Sequence, residues 1–328
     1  MKTKKSEELT IIYVNYKSSG VLEHSLKSLI SQNYKEFKVI IVDNSPGKFE
    51  FDKIQAFKKK YSNYFKIEAF KPRFNLGFAG GNNYALRRTK SEYLFLLNCD
   101  TELTSSFLEN TISYLKDHPK VGMLSPKILC FENRNLIWYA GSFLNPKNLH
   151  FTDNIGFNQT DIGKYNDIKE TAYASGAALF TRREVIEQIG YMDEILFMYA
   201  EETDWNYRAK KVGYKIVYFP KTSLYHYKGS KVTSKRRIFK VYLYTRNQLI
   251  FMLKNLKFVD LLFYLCLNYF ERLIMELFIS FLKKTPKSFY IYIRASFLGL
   301  FIGFKRKTNR NCKSVLRKEY LFIQNLLK

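Results

Sequence analysis

The sequence predicts an α/β fold: a mostly parallel sheet flanked by helices, with a C-terminal helical, amphipathic extension. Three observations carry this. Short apolar runs alternate with helical patterns through the first half of the chain. Several of those runs end abruptly in polar residues. Beyond Lys228 the composition turns basic and then dense in Leu, Phe and Ile.

Taken in order, "LTIIYVNY" (9–16) reads as a buried strand and "LEHSLKSLISQ" (22–32) as a helix, with Leu22, Leu26, Leu29 and Ile30 at helical spacing. "FKVIIVDNS" (37–45) is a second strand, ending in Asp-Asn-Ser, and "YFKIEAF" (64–70) a third. "NLGFAGGNNYALRR" should open a helix, and "EYLFLLNCD" is a fourth strand. In such sheets ligands sit beyond the carboxyl ends of the strands, where Asp43, the 75–83 loop and Asp100 fall. Further on, a short apolar segment leads into a helix near 182–190. "EETDWNYRAKKVGYKIVYFP" then reads as a helix ended near Gly213 and a strand ended by Pro220. Two domains are expected, 1–230 and 231–328. The loop from 131 to 169 carries no recognisable motif.

The 328 residues are 46% hydrophobic and 17% aromatic, enough for a large core or for rings seated among lipid headgroups. A formal net charge of +25 fits a solvated surface, nucleic acid, an anionic membrane or a phosphorylated substrate. Nucleic acid is disfavoured: the aromatic residues concentrate in strands and C-terminal apolar helices rather than among the basic residues, and no such motif occurs. Four scattered cysteines without CxxC spacing argue against a zinc site or a disulfide framework and fit a reducing compartment. The N-terminus lacks the apolar core and cleavage site of a signal peptide.

The segment 258–282 is interrupted too soon to span a bilayer. Asp260, Asn268, Glu271, Arg272 and Glu276 share one polar sector, which describes an amphipathic helix. A second apolar segment, 288–304, is interrupted by Arg294 and followed by "KRKTNRNCK". Both segments suit a helical subdomain packed on the catalytic domain, or helices lying on an anionic membrane.

Individual residues allow more than one reading. Asp100, at the end of a buried strand, can cap a helix or form a turn. It can also hold Mg2+ or Mn2+, whose remaining ligands come from phosphate and water. Glu201, Glu202 and Asp204 can be an acidic first helical turn favoured by the dipole, or supply a general base; Glu201 and Asp204 share a face that Glu202 does not. His226, one of four histidines, can be structural or a metal ligand. The glycines 77, 80 and 81, ahead of a helix, let backbone amides approach phosphate or ribose.

As an ordered series, "IIYVNYKSSGVLEHSLKSL", "IIVDNS", "NLGFAGGNNYAL", "LLNCDTEL", "SGAALFTRR", "GYMDEILFMYAEETDWNYRAKKVGYKIVYFP" and "YHYKGS" resemble the successive motifs of inverting family 2 glycosyltransferases. These have the GT-A fold, a Rossmann-like sheet, and the pattern is closest to a bacterial rhamnosyltransferase-like branch. The match covers about residues 8 to 250, including "YLYTRNQLIFMLKN". The resemblance implies donor-binding positions at Asn15, Asp43, Asn75, Gly77, Asn82 and Asn98, with Asp43 reading the pyrimidine. Asn98 and Asp100 occupy the ends of the Asp-x-Asp motif, Asn replacing its first Asp, and Asp100 and His226 would hold Mn2+ or Mg2+. Glu202 stands where the family's base is usually Asp, one methylene longer, with Glu201 and Asp204 as second choices.

The implied function is inverting sugar transfer from dTDP-rhamnose or a UDP-sugar to a hydroxyl of a lipid-linked saccharide, in polysaccharide biosynthesis. The implied setting is cytoplasmic, peripheral on the inner face of a bacterial plasma membrane, where the basic C-terminal third would meet anionic lipid. The alternatives are a nucleotidyltransferase, for which "VNYKSSG" is a poor signature, a non-catalytic GT-A protein and, more distantly, a nucleic-acid-binding protein.

Overall fold

Successive side chains of β1 (Leu9–Asn15) alternate between two cores. Leu9, Ile11 and Tyr13 enter one and Ile12 the other. β4 (Tyr93–Leu97) does the same, with Tyr93, Phe95 and Leu97 on the first side and Leu94 and Leu96 on the second. Strands buried on both faces read as continuous apolar runs, which is why these were legible. The structure is a computed structural model; it describes residues 8–143, 153–227, 234–257, 259, 261–262, 265, 269–282, 286–307, 322–323 and 326.

Among the described residues the sheet has ten strands, in the order β10 (Lys169–Glu170), β12 (Lys215–His226), β6 (Val121–Cys130), β11 (Ala178–Arg182), β4, β1, β2 (Phe37–Asp43) and β3 (Lys66–Phe70), with β5 (Thr101–Leu103) paired to β12 and β7 (Ile137–Tyr139) to β6. β2, β3 and β4 run parallel with β1. β6 and β12 are parallel to each other, and β11 runs antiparallel between β4 and β6. Phe95 and Phe180 stack across the β4–β11 join with centroids 3.8 Å apart. β5, β7 and β10 are short additions. β8 (Ser142–Phe143) and β9 (Asp153–Asn154) form a separate pair. The segment in which the sequence showed no motif thus supplies several of these strands, and residues 144–152 lie outside the described ones.

On the first face lie α1 (Ser19–Ile30), α2 (Phe49–Lys60) and α4 (Phe107–Asp117), inserting Leu22, Leu26, Leu29, Phe57 and Phe107. On the second lie α3 (Gly77–Leu86), α5 (Arg183–Ile189) and α6 (Glu201–Lys211). Fully buried Trp205 anchors α6, its indole N–H donating to Gly190 O at 2.9 Å. Each such side chain contributes about 1.5–3 kcal/mol of burial.

Two compact units are present. The first comprises residues 1–143, 152–197 and 201–229; the second includes 198–200 and the chain from 230 onward. Within the second, α7 (Ser234–Asn255) packs on α9 (Pro286–Lys307), which also meets α8 (Phe270–Leu282). The α7–α9 approach is close because a Cβ at Gly299 would lie 2.7 Å from Arg246 O, and one at Gly303 2.7 Å from Leu253 Cδ1. Most of 258–268 and the basic run 228–233 lie outside the described residues. Among the described residues, no helix is long and apolar enough to cross a membrane.

Candidate active site

Asp100 leaves the end of β4 and is met by His226 at the end of β12. β5 causes this meeting: Thr101 pairs with His226 in register, and the Tyr227 N–H donates to Asp100 O at 2.9 Å. Asp100 Oδ1 and His226 Nε2 are therefore 3.4 Å apart. His226 Nδ1 is buried with no hydrogen-bond partner in the protein, and its ring lies 4.7 Å, centroid to centroid, from Trp138.

A carboxylate oxygen and an imidazole nitrogen brought this close are a donor pair that would hold one divalent cation between them. Among the described residues no group of three His, Cys, Asp or Glu side chains is arranged to hold a metal. The pair fits a cation completed by oxygens from phosphate and water. Asn98 is half-buried, and its N–H donates to Ala177 O at 3.0 Å.

Asn15 and Asp43 are register partners at the ends of β1 and β2, both buried. Asn15 Nδ2 donates to Asp43 Oδ1 at 2.9 Å, as does the Ser45 N–H at 3.0 Å. Lys71, just past β3, donates to Asp43 Oδ2 at 2.8 Å. Sequence reasoning missed Lys71, although its place beyond a strand's carboxyl end was the available signal. Asn75 Oδ1 accepts the Gly77 N–H, and Asn44 Nδ2 donates to Gly77 O. Gly77 has φ +71°, and a Cβ there would lie 2.5 Å from Phe197 O. Asn82 is buried and donates to Phe78 O in its own helix.

The acidic turn of α6 divides its three carboxylates. Asp204 is buried in an ion pair with Arg208, Oδ2 to Nε 2.8 Å, the i,i+4 geometry that the sequence spacing allows. Glu201 is buried and Glu202 half-buried, and an Oε2 of each has no partner in the protein. Burial raises both carboxyls above the ordinary range. The negative charge of Glu202 raises Glu201 further, whereas a hydrogen bond from Glu201 favours ionised Glu202.

Asn206 fixes this turn. Its side chain accepts the Ala174 N–H, and its amide donates to Ala174 O and Glu202 O. Glu202 Cδ consequently lies 3.6 Å from where a Cβ on Gly176 would stand. Gly176 adjoins Ala177, whose carbonyl holds Asn98. Glu202, Asn98 and Asp100 are thus joined through one short segment, whereas Asp204 points into the core pair with Arg208.

The residues leading into Glu201 are held separately. Phe197, Tyr199 and Ala200 all have positive φ, and Asn247 Nδ2 donates to Met198 O at 2.9 Å and Tyr199 O at 2.6 Å. Neither Asn206 nor Asn247 carried a signal in the sequence, because their partners are backbone carbonyls brought close only by folding.

Residues 10–190 match the profile described as Glycosyl transferase family 2, more than half of the chain. The chain belongs to this glycosyltransferase family. Over 311 residues it is 27% identical to the low-salt glycan biosynthesis hexosyltransferase of Haloferax volcanii, covering 93% of each chain. A 61-residue stretch is 37% identical to the N-acetylglucosaminyl-diphospho-decaprenol L-rhamnosyltransferase of Mycobacterium tuberculosis, covering 19% of this chain and 20% of that one. The fold is similar to that of a mannosyltransferase from Pyrobaculum calidifontis in complex with GDP-Man and Mn2+, with TM-score 0.55 and 14% identity over 93% of this chain and 88% of that one. The family 2 glycosyltransferase fold, GT-A with C-terminal helices, is therefore the one the sequence predicts.

Proposed function

We propose that the protein transfers a sugar, with inversion, from a nucleoside-diphosphate donor to a hydroxyl of a lipid-linked saccharide in surface-glycan synthesis. The observation that carries this is the Asp100–His226 pair, joined through the Gly176–Asn98 segment to Glu202, whose Oε2 has no partner in the protein. Asp43 and Lys71 offer an acceptor beside a donor, complementary to the N–H and C=O edge of thymine or uracil. Asp100 and His226 would hold Mn2+ or Mg2+, which supplies positive charge to a departing diphosphate.

Glu202 Oε2 accepts the proton of the acceptor hydroxyl. The oxygen then bonds to the anomeric carbon as the carbon–oxygen bond to the diphosphate breaks, its electrons leaving with the nucleotide. Burial suits Glu202 to this role by raising its proton affinity above that of an ordinary carboxylate. Glu201 acts as its hydrogen-bond donor. The motif resemblance and the local likeness to a rhamnosyltransferase favour dTDP-rhamnose; a UDP-sugar satisfies the same base edge. The acceptor's lipid places the work at an anionic membrane surface on the cytoplasmic side.

Calorimetric titration with dTDP, UDP and GDP, each with and without Mn2+, tests the reading. Metal-dependent binding of a pyrimidine nucleotide, lost in Asp100→Ala, is expected. Folded protein that binds none of the three would overturn it.

A further inference from the structure

Helices α8 and α9 each carry a row of apolar side chains on an exposed face, although α9 also buries Ile291, Tyr292, Ala295 and Ile302 on its other side. In α8, Ser280 is buried while Phe281, the next residue, is 81% exposed; in α9, Ser296 is buried while Phe297 is 69% exposed. The exposed apolar residues are not scattered. Ile274, Leu277, Phe278 and Phe281 lie on one side of α8, with the exposed Glu271 at the edge of that side and the half-buried Glu276 on another. On α9, Tyr290, Ile293, Phe297, Phe301 and Phe304 recur every three or four residues as a single stripe. A helix facing water puts such a stripe against the core. Here the two helices meet each other, Tyr292 is buried, and the rings of Phe278, Phe281, Phe297 and Phe301 face outward.

We infer that these two stripes are an interfacial anchor that lies in the surface of an anionic lipid bilayer. Charge selects lipid over a second copy of the chain. After residue 230 lie 21 of the 54 Lys and Arg but only four of the 29 Asp and Glu, so two such regions repel each other and are drawn to anionic headgroups. The basic residues also stand where an interfacial helix needs them. Lys305 lays its ammonium 4.5 Å over the Phe301 ring at the end of the stripe, with Arg306 exposed beside it. Neither helix is long and apolar enough to cross, so rings enter the headgroup zone while the opposite faces stay with the neighbouring helices. The inference deepens the membrane reading of the proposed function and rests on it for its purpose, since a lipid-linked acceptor is met at that surface.

The test uses the full chain and flotation with vesicles of phosphatidylcholine, with or without phosphatidylglycerol. Wild-type protein should float with the anionic vesicles. The double variant Phe281→Glu, Phe297→Glu should lose roughly tenfold or more of that partition, while nucleotide binding stays unchanged. A Phe281→Trp variant, which keeps a ring in place, should shift its emission to the blue on vesicles and be quenched by brominated acyl chains. Protein that stays in solution, or emission from the Phe281→Trp variant that the brominated lipid leaves untouched, would overturn the inference. So would a lipid-free dimer dispersed by the double variant without vesicle binding. Vesicle binding without nucleotide binding would sink the glycosyl-transfer reading and leave the anchor standing.

Discussion

His226 Nε2 stands 3.4 Å from Asp100 Oδ1 because the three residues after Asp100 turn back as β5 along the end of β12. Register, rather than sequence spacing, joins two side chains 126 positions apart. Asp100→Ala and His226→Ala should each abolish the dependence of nucleotide binding on Mn2+. Transfer should fall by more than the ~10–100-fold typical of lost outer partners of a metal site. Isothermal titration beside a transfer assay checks this; unchanged Mn2+ dependence in both variants would remove the pair from the site.

Glu202→Gln should reduce kcat by about 10²–10⁴-fold with little change in nucleotide affinity. The glutamine keeps the volume and loses only the proton acceptor. A variant with near-wild-type turnover would shift the role elsewhere in the turn.

The pH response follows from the two raised carboxyls. Glu202 works ionised, so turnover is lost as pH falls through its raised pKa. Glu201→Gln retains a donor to Glu202 and should leave the acidic limb of the pH profile in place. Glu201→Ala removes it and should move that limb to higher pH. Stability has the opposite slope. A carboxyl with a raised folded pKa contributes stability that is complete below its unfolded value of about 4.3 and lost as pH rises through the folded one. Glu201→Gln should therefore flatten the decline of Tm above that range, which thermal melts at a series of pH values would show.

Asn247 holds the carbonyls of Met198 and Tyr199 immediately before the acidic turn, where three non-glycine residues have positive φ. Asn247→Ala should release that backbone and lower kcat by up to ~10²-fold, the scale on which small misplacements act, while nucleotide affinity is kept. Parallel loss of both kcat and nucleotide binding would point instead to general unfolding.

Gly77→Ala forces a Cβ into the left-handed region and against Phe197. It should destabilise the protein by at least about 1 kcal/mol, measured by urea unfolding.

By itself the sequence determined where strands and helices alternate and which polar residues stand at strand ends. Burial on both faces writes a strand such as "YLFLL" as an unbroken apolar run, and the chain must turn polar where it emerges. Asp43, Asn98 and Asp100 were legible for that reason, and so was the amphipathic character of the C-terminal segments. Only the tertiary structure decided which polar groups meet. β11 enters antiparallel, β5 returns along β12, and Asn206 and Asn247 bond to backbone that no local pattern marks. The direction of a helix's apolar face is likewise absent from its periodicity. The same stripe can enter a core or face outward, and the buried Ser280 beside exposed Phe281 settles which. Local energetics write periodicity into the chain; pairing between distant segments, which no short window contains, assembles the site.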